Sequence, residues 1–589
     1  MEKTEKTGSE SPKQAQNLPA GEGSALGDLA KTPGLCCDLK ALLWGVLALA
    51  LVLRLAWLGI KPPHFDEGVN GWFVDQMTKS GYYHYDPGNY HGPFHFYVLF
   101  LAQTLFGRSA TVLRIPLVLV NVATIWFVLQ FRRFISWRAC VLAALAFAVS
   151  PGMLFYSRYS IHEAWLLFAM ILAVWGAAEM WTRGTARGLW CVAMGITLMV
   201  LTKETYIIHL VAFGLAGATL AALERFSPSA VPASETDPGL PDRPVPRQWG
   251  ARTLTSAVLL GILLVLFFYS GGFLDPESLK GLVQTFEAWF KTGVQGHGHE
   301  KPFYYWGKLI GIYEWPALIG LIYSVRALFP GMNRLTRFIA IYGCGALVAY
   351  SLVPYKTPWC IISLIWPFLF LFGEAMDELS KLLDRVNFKK PKLLSGSLAA
   401  LVLAASLAWS ARLNYFHPTD PHEPYVYVQT MNDFFKLSRP LNQLVAKDPT
   451  AYHMTANILL SSYHPLPWVL GDFTSVGYYE KEGAQPPTMD AGFLIAEEDR
   501  VAKVEAQLQQ RYFVESFQLR DAMPAGKLYL NYERFASVFP GRTPEFDPLA
   551  RPAKKANAEP APPSVEEAAP IDPSDVPEAS VAQPVSVAP

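Results

Sequence analysis

Long apolar runs constrain the fold of this chain more than any other feature. A helix needs about 20 apolar residues to cross the hydrocarbon core of a bilayer, and by this measure about eleven runs lie between residues 41 and 411. Backbone polar groups find no water inside a bilayer, so each run should be helical. The sequence therefore predicts an α-helical polytopic membrane protein. The expected spans are 41–60, 111–131, 138–156, 164–182, 187–202, 205–223, 253–273, 305–327, 335–353, 358–376 and 394–411.

Composition supports this class and narrows the partners. The chain is 51% hydrophobic and 17% charged, whereas a soluble protein carries about 25% charged residues. Its formal net charge is zero, which gives no reason to expect a nucleic-acid partner. No cysteine follows Cys360, so the hydrophilic C-terminal part has no disulfide framework.

Basic residues assign a side to each loop. They cluster in alternate loops, which the positive-inside rule places in the cytoplasm. An odd number of spans then puts the chain after residue 412 on the far side. We expect a multi-pass protein of the inner (plasma) membrane with an extracytoplasmic C-terminal region. The basic loops are 132–138, 183–187, 225–252, 326–337 and 381–392.

The hydrophilic segments suggest further domains. Mixed patterns after residue 412, with strands such as "AGFLIAEE" and a helix "DRVAKVEAQLQQR" capped by Asp499, predict a small extracytoplasmic α/β domain. Both ends of the chain are polar and lack periodicity, as is typical of disorder. The expected division is a disordered cytoplasmic tail 1–40, a transmembrane domain 41–412 with a cytoplasmic linker 226–250, an α/β domain 413–545 and a disordered tail 546–589.

Short polar motifs occupy the loops on the other face. The topology places them together although they are far apart in the sequence, so they predict one shared external site. Ionisable groups at membrane depth are costly, which favours a functional role. The motifs are "HFDEGVN", "YHGPFHFY", "SRYSIHEAW", "LTKETY", "QGHGHEKPFYYW" and "PYKTPW".

Asp66 and Glu67 stand side by side just after the first span. They could serve as a general base and its partner, or they could hold a divalent cation. They could also cap a helix, because acids satisfy free N–H groups at a helix N-terminus. The pair alone does not choose between these roles, but its place in the external cluster favours function.

Cations in the same cluster point to an anionic substrate. Arg158 and His162 share a face if their segment is helical, and an arginine fork suits phosphate. An interfacial arginine that snorkels to lipid headgroups is the alternative. Lys203 lies on the outer side against the positive-inside bias. It could hold a phosphate or form an ion pair with an acid such as the adjacent Glu204.

Lys356 in "YKTPW" also lies on the outer side, so it could hold a phosphate for the same reason as Lys203. In "HGHE", His297, His299 and Glu300 resemble a metal motif, but two histidines in a glycine-rich loop fit a polar lid better. His91 and His95 lie near an aromatic interface, where packing or substrate contact is the expected role.

The ordered motifs resemble those of the membrane-embedded GT-C glycosyltransferases, which include the protein O-mannosyltransferases and the aminoarabinose transferases of lipid A. An Asp-Glu pair after the first span, then "YHGPFHFYVLFLAQTLFGRSATVLRIP", "YSRYSIHEA" and "LTKET", follow that order over residues 41–225. "HGHEKPFYYW", "YKTPW" and "HPLPWVLGDFTSVGYY" are similar to a narrower group, named for an archaeal flippase-activity-associated protein.

The resemblance implies transfer of a sugar from a polyprenyl-phosphate donor on the extracytoplasmic face, with inversion at the anomeric carbon. Asp66 would activate the acceptor hydroxyl, and Glu67 would assist it or shape the site. Arg158, Lys203 and Lys356 would hold the donor phosphate.

Relatives carry an acid shortly after the arginine of the third motif. That role passes here to Glu163, because His162 occupies the intervening position. We expect His91 and Glu204 to add substrate contacts together with His162. Dependence on a divalent cation is left open.

Two function classes remain. The first is a membrane hexosyltransferase acting on a protein, lipid or glycan acceptor of the cell envelope. The second is a flippase for lipid-linked sugars, or an accessory protein for one. A transporter needs no base beside the sugar, and transport relays place acids at mid-membrane. The acids here cluster on one side, which favours transfer.

Overall fold

A computed structural model describes residues 33–89, 91–226, 244–295, 298–481 and 483–550. Most of the predicted tails and linker lie outside these residues, and so does His297. The two tail boundaries need correction where the chain is described. The first helix begins before the predicted start at 41, and the last residues of the fold extend past 545.

The helices up to residue 411 form the apolar part of the protein. They are α1 Pro33–Leu55, α2 Phe65–Ser80, α3 Phe94–Phe106, α4 Ala110–Gln130, α5 Trp137–Val149, α6 Pro151–Tyr156, α7 Glu163–Arg183, α8 Ala186–Thr202, α9 Tyr206–Phe226, α10 Ala251–Tyr269, α11 Gly281–Gln295, α12 Tyr305–Tyr313, α13 Trp315–Tyr323, α14 Arg334–Leu352, α15 Ile361–Arg385 and α16 Pro391–Ala411.

The remaining elements surround a small sheet. The helices are α17 Phe434–Lys447, α18 Leu466–Val469, α19 Glu498–Gln507 and α20 Tyr532–Phe535. The strands are β1 Thr455–Leu459, β2 Ser475–Tyr478, β3 Phe493–Glu497, β4 Tyr512–Phe517 and β5 Gly526–Asn531.

Seven helices among the described residues are long and apolar enough to cross a membrane. Shorter apolar helices accompany them, including Phe94–Phe106. Every predicted apolar run is helical over most of its length. The predicted count of eleven spans is not confirmed, although a multi-pass membrane protein is.

Two of the predicted spans are broken. The run 138–156 divides into α5 and α6, and the run 305–327 divides into α12 and α13. Pro151 and Pro316 occupy the first turns of the second halves, where the missing N–H is not needed. A hydropathy average over many residues does not detect a break of one residue. The sequence pattern therefore predicted continuous spans.

The two breaks face each other inside the bundle. Glu314, which separates α12 from α13, is fully buried. Its carboxylate accepts hydrogen bonds from Ser150 Oγ at 2.6 Å, from the Gly152 amide at 2.7 Å and from Tyr425 Oη at 3.0 Å. A buried carboxylate is tolerated here because each oxygen has a donor.

The predicted cytoplasmic loops meet at one end of the bundle. Arg334 pairs with Glu224 at 2.9 Å and lies over the ring of Trp181. The Gln248 amide donates to the Gly184 carbonyl at 2.7 Å. These contacts bring three of the five basic loops together, and their cytoplasmic side stays a prediction.

A five-stranded mixed sheet follows the helical part, in the order β2-β1-β3-β5-β4. β1 is parallel to β2 and β3, whereas β5 is antiparallel to β3 and β4. Alternate side chains pack on opposite faces, towards α17 on one side and α19 on the other. β1 and β2 were not predicted, and α19 begins at Glu498, so Asp499 lies in its first turn rather than capping it.

Helix α2 packs directly on the C-terminal region, which comprises residues 413–550. A methyl group added at Gly68 would lie 2.3 Å from Cα of Pro465, and one added at Gly71 would lie 2.3 Å from Cγ of Trp468. Only glycine lets the two backbones approach this closely. We call this contact between α2 and residues 461–472 the seam.

Polar contacts lock the same seam. Arg108 donates to Asp75 at 2.7 Å, to Asp472 at 3.1 Å and to the Trp468 carbonyl at 2.7 Å. Trp468 in turn donates from Nε1 to Gln103 at 2.9 Å and is almost fully buried. The C-terminal region is therefore attached through both shape and hydrogen bonds.

Replacing Gly71 with alanine should open the seam, because the new methyl group overlaps the indole of Trp468. We expect about 1–3 kcal/mol lower stability, as is usual for overpacking. Thermal unfolding in detergent and proteolysis within 461–472 measure it. Gly45→Ala in α1, where no atom lies within 4 Å, is the matched control and should not destabilise. Equal melting of both variants would contradict the interlocking.

Candidate active site

The start of α2 separates the two adjacent carboxylates. His64 is the N-cap, its Nδ1 accepts from the Asp66 amide at 3.1 Å, and its own amide donates to Glu67 at 2.9 Å. This capping box fixes the first turn. Glu67 is fully buried, whereas the Asp66 side chain is 36% exposed. Neighbours in sequence thus face opposite environments.

Glu67 is held from every side. Arg114 donates to Oε1 at 2.8 Å and to Oε2 at 2.6 Å, and the Ser160 amide donates to Oε1 at 2.9 Å. Burial by itself would raise the pKa of Glu67, but the Arg114 charge and the hydrogen bonds lower it below its ordinary value. An ionised carboxylate with all these donors shapes the site and has no lone pair left for a substrate proton.

Asp66, unlike Glu67, has few hydrogen-bond partners. Among the described residues no side chain donates a hydrogen bond to its carboxylate, and the nearest basic nitrogen is Nδ1 of His64 at 3.8 Å. That nitrogen accepts an amide hydrogen, so the His64 proton lies on Nε2, which donates to the Tyr427 carbonyl at 2.8 Å. Asp66 therefore presents a carboxylate that is free to accept a proton.

An aromatic slot adjoins the capping histidine, and its side chains leave no room for a water molecule between them. His64 packs edge-on against Tyr159 and Trp359, with ring centroids 5.0 and 5.8 Å apart. His299 reaches the same slot, because its Nδ1 lies 2.6 Å from Tyr427 Oη. The lining residues come from four separate segments of the chain and are His64, Tyr156, Tyr159, Ile161, Trp359, Tyr425 and Tyr427.

Arg158 was predicted to hold phosphate, but its guanidinium is occupied. It is fully buried, and Nη1 and Nη2 donate to backbone carbonyls at the end of α1, including Ala56 at 2.6 Å and Trp57 at 2.9 Å. The last carbonyls of a helix need such partners. Its observed contacts are those of a helix cap rather than of a ligand clamp.

Lys203 is also engaged. It is buried and forms an ion pair with Glu163. His91 Nδ1 lies 2.9 Å from Glu204 Oε2, and backbone pairing joins His91 to Lys203. The ion pair expected as the alternative to phosphate binding by Lys203 is thus present, with Glu163 as the partner instead of Glu204.

Three histidines lie next to these charges. The ring of His162 is 4.6 Å from that of His91 and 4.2 Å from that of His95. Burial lowers the pKa of His162 well below its ordinary value, and the charges of the other two add to this effect. Within the described part of the chain, no three His, Cys, Asp or Glu side chains are grouped to hold a metal ion.

Lys356 donates to the carbonyls of Lys301, at 3.1 Å, and Val353. Its amide donates to the His299 carbonyl at 3.1 Å, so the "HGHE" and "YKTPW" loops are joined by a backbone hydrogen bond. Glu300 takes part through backbone pairing and is exposed. This brings His299 to the site, while a lid or metal role for the motif stays a prediction.

Two buried cations near Asp66 were not predicted. Lys61 Nζ lies over the rings of Phe155 and Tyr159, at 3.9 and 3.5 Å, and reaches the Phe155 carbonyl at 3.4 Å. Arg520, from the C-terminal region, lies over the ring of Phe65. A basic residue on the outer side could have revealed Lys61, as it did Lys203. Nothing in the sequence marks Arg520.

Part of the sequence matches a known protein family. Residues 90–226 match the family described as dolichyl-phosphate-mannose-protein mannosyltransferase. No curated protein matches the sequence significantly.

Solved structures extend the comparison to most of the chain. ArnT from Cupriavidus metallidurans bound to undecaprenyl phosphate has a TM-score of 0.51 at 15% identity, covering 85% of this chain and 98% of that one. Its apo state has a TM-score of 0.49 at 15% identity, covering 86% and 99%. A mutant arabinofuranosyltransferase AftD from mycobacteria has 0.41 at 13%, covering 84% and 41%. The predicted resemblance to the GT-C membrane glycosyltransferases is confirmed at the level of the superfamily.

Removing one partner of the Glu67–Arg114 pair should destabilise the fold strongly. Glu67→Gln leaves a buried guanidinium without its counter-charge, which costs about 3–5 kcal/mol. Thermal unfolding in detergent measures the loss. The double variant with Arg114→Met should lose less than the sum of the single losses, because no unpaired charge remains.

Arg511→Gln breaks a surface ion pair with Glu533 and serves as the control. It should leave thermal unfolding nearly unchanged, because exposed ion pairs contribute little to stability. If Glu67→Gln unfolds at the same temperature as this control, the Glu67–Arg114 pair does not stabilise the site.

Proposed function

We propose that this protein transfers a sugar from a polyprenyl-phosphate donor to an acceptor, with Asp66 as the catalytic base. One observation carries the proposal. Asp66 is a partly exposed carboxylate to which no side chain of the described residues donates a hydrogen bond, whereas Glu67 and Glu163 are buried and paired. A base needs this freedom, whereas structural carboxylates such as Glu67 are saturated.

The chemistry requires only one such group. Asp66 takes the proton of the acceptor hydroxyl while the acceptor oxygen attacks the anomeric carbon. The bond from that carbon to the phosphate oxygen breaks, and its electron pair leaves with polyprenyl phosphate. Direct displacement inverts the anomeric centre, and the phosphate needs no acid to leave. The enzyme would be an inverting glycosyltransferase of the hexosyltransferase class.

The donor class follows from the fold and from the buried cations. The ArnT structure of the same fold was bound to undecaprenyl phosphate. Lys61 would hold the phosphate, because no carboxylate of the described residues lies within 4.0 Å of its Nζ and a fixed cation stabilises the charge of a leaving phosphate.

The remaining assignments rest on the sequence. The positive-inside rule places the active site and the C-terminal region on the extracytoplasmic face of the inner membrane. His91, His162 and Glu204 would add contacts to the donor from the neighbouring cluster.

Asp66→Asn should abolish transfer with the fold intact. General-base catalysis contributes about 10²- to 10⁴-fold, so the variant should lose at least the lower value. Radiolabelled undecaprenyl-phosphate sugars and a membrane extract as acceptor, with and without EDTA, measure the transfer of label by purified protein.

Asp86→Asn, an exposed aspartate in the same external loop, is the control and should keep full activity. Equal turnover of the wild type and Asp66→Asn would remove Asp66 from the chemistry. Donor binding without turnover in any variant would favour the flippase or accessory function.

Lys61→Met should weaken the binding of undecaprenyl phosphate while leaving stability unchanged or higher. Burial and the charges of Arg114 and Arg158 lower the pKa of Lys61 well below its ordinary value, so the amine lacks a counter-charge that a donor phosphate would supply, and removing it costs the fold nothing. A charged hydrogen bond contributes about 1.5–3 kcal/mol, equivalent to roughly a 10- to 150-fold loss of affinity. Titration calorimetry in detergent measures it.

Lys79→Met, which removes an exposed lysine at the end of α2, should bind undecaprenyl phosphate like the wild type. Undecaprenol, which lacks the phosphate, should bind the wild type and Lys61→Met equally. A similar loss for both lipids would show that Lys61 supports the apolar part of the site.

A further inference from the structure

Besides the aromatic slot, the C-terminal region places a cation against Phe65, the residue that precedes Asp66. Arg520, between β4 and β5, is only 6% exposed, and its guanidinium carbon lies 4.7 Å from the ring centroid of Phe65. It donates to the carbonyls of His464 and Ser462 at 3.4 Å each, to Ser462 Oγ and to Met523 Sδ at 3.1 Å. Two of these bonds are long, so the five N–H groups keep spare capacity.

The charges around Arg520 specify the ligand. The carboxylates that act on it are Asp66 and Glu497, and neither lies within ion-pair distance. Glu497 is already occupied, because it accepts from the Ser461 amide at 2.9 Å and from its hydroxyl at 2.6 Å. One cation against two carboxylates gives no net attraction for an anion. A neutral ligand that accepts from Arg520 and donates to Asp66 fits this balance.

Aromatic rings lie beside Arg520 and Asp66. The rings of Phe65 and His464 lie 5.3 Å apart, and those of His464 and Tyr463 lie 5.5 Å apart. Burial, together with the Arg520 charge, lowers the pKa of His464 to about 4, so it adds no charge near neutral pH. Flat faces beside paired donors and acceptors suit a sugar ring, which offers C–H groups on its face and hydroxyls at its edge.

We infer that Arg520 binds the acceptor and that the acceptor is a neutral sugar with adjacent hydroxyl groups. One hydroxyl gives its proton to Asp66 and attacks the donor, as in the proposed transfer. The next hydroxyl accepts from the Arg520 fork, which orients the ring. This inference rests on the proposed function and gives the C-terminal region a share in acceptor selection. A serine or threonine side chain has one hydroxyl and cannot use both groups.

The experiment separates the two halves of the reaction. Purified full-length protein in detergent receives radiolabelled undecaprenyl-phosphate sugars, and two products are counted. One is free sugar released to water. The other is sugar transferred to soluble methyl glycosides or to a short peptide containing Ser and Thr. Wild type, Arg520→Gln, Arg520→Lys and Arg511→Gln are compared, the last being the surface control.

Arg520→Gln should reduce kcat/KM for the methyl glycosides by about 10- to 100-fold, mainly through KM. Release of sugar to water should stay unchanged, because water needs no orientation by Arg520 and the donor site is intact. Arg520→Lys should recover part of the transfer, and Arg511→Gln all of it. The peptide should accept no label in any sample.

Three results would overturn the inference. Equal losses of hydrolysis and transfer in Arg520→Gln would mean that Arg520 supports the fold or the donor. Unchanged transfer would remove it from the acceptor site. Preferred labelling of the peptide would make the acceptor a protein. Wild type that releases label to neither water nor acceptor overturns the proposed function itself, which is a different result from these three.

Discussion

The buried pair of Glu67 and Arg114 is the constraint on which the site depends. Arg114 also donates to the carbonyls of Leu58, Lys61 and Pro62, so one guanidinium fixes the whole connection between α1 and α2. A buried pair gains little net stability, because removing two charges from water offsets their attraction. Its value lies in position, since it sets the direction in which the next residue, Asp66, must point.

Some buried arginines of the helical part serve backbone carbonyls. Arg54 donates to the carbonyls of Phe147 and Ala148, much as Arg158 does at the end of α1. Near a bilayer the carbonyls of a broken or ending helix have few water partners, and a guanidinium with five donors can serve several at once. Cations that satisfy carbonyls are thereby withdrawn from ligand binding, which leaves Lys61 and Arg520 as the less committed ones.

The sequence was sufficient for the architecture and for the convergence of the motifs. Apolar runs and basic loops predicted which segments share a face, and the contacts of His64, Trp359 and His299 join three of those segments. It could not separate Asp66 from Glu67, because their difference arises from a half-turn of helix and a partner in α4. It misjudged Arg158 for a similar reason, since composition reveals a charge but not the carbonyls that surround it.

Distance along the chain explains why the sequence did not predict Arg520 and His464 near Asp66. Arg520 and His464 meet Asp66 only through a sheet whose first two strands, "TANIL" and "SVGY", are too short to stand out from their surroundings. The predicted span count failed on a finer scale. Single breaks at Ser150 and Glu314 satisfy each other inside the bundle, and no average over a window of residues detects them.

The attachment of the C-terminal region to α2 also sets the order of biogenesis. The carbonyl that orients His64 belongs to Tyr427, which is 363 residues further along the chain. At about 5–20 residues per second, a ribosome needs roughly 20–70 s to supply it after His64 has been inserted. During that interval Asp66 lacks both the carbonyl that orients its capping histidine and the packing of residues 461–472 on α2. The surroundings of Asp66 are therefore complete only when the C-terminal region has docked on α2.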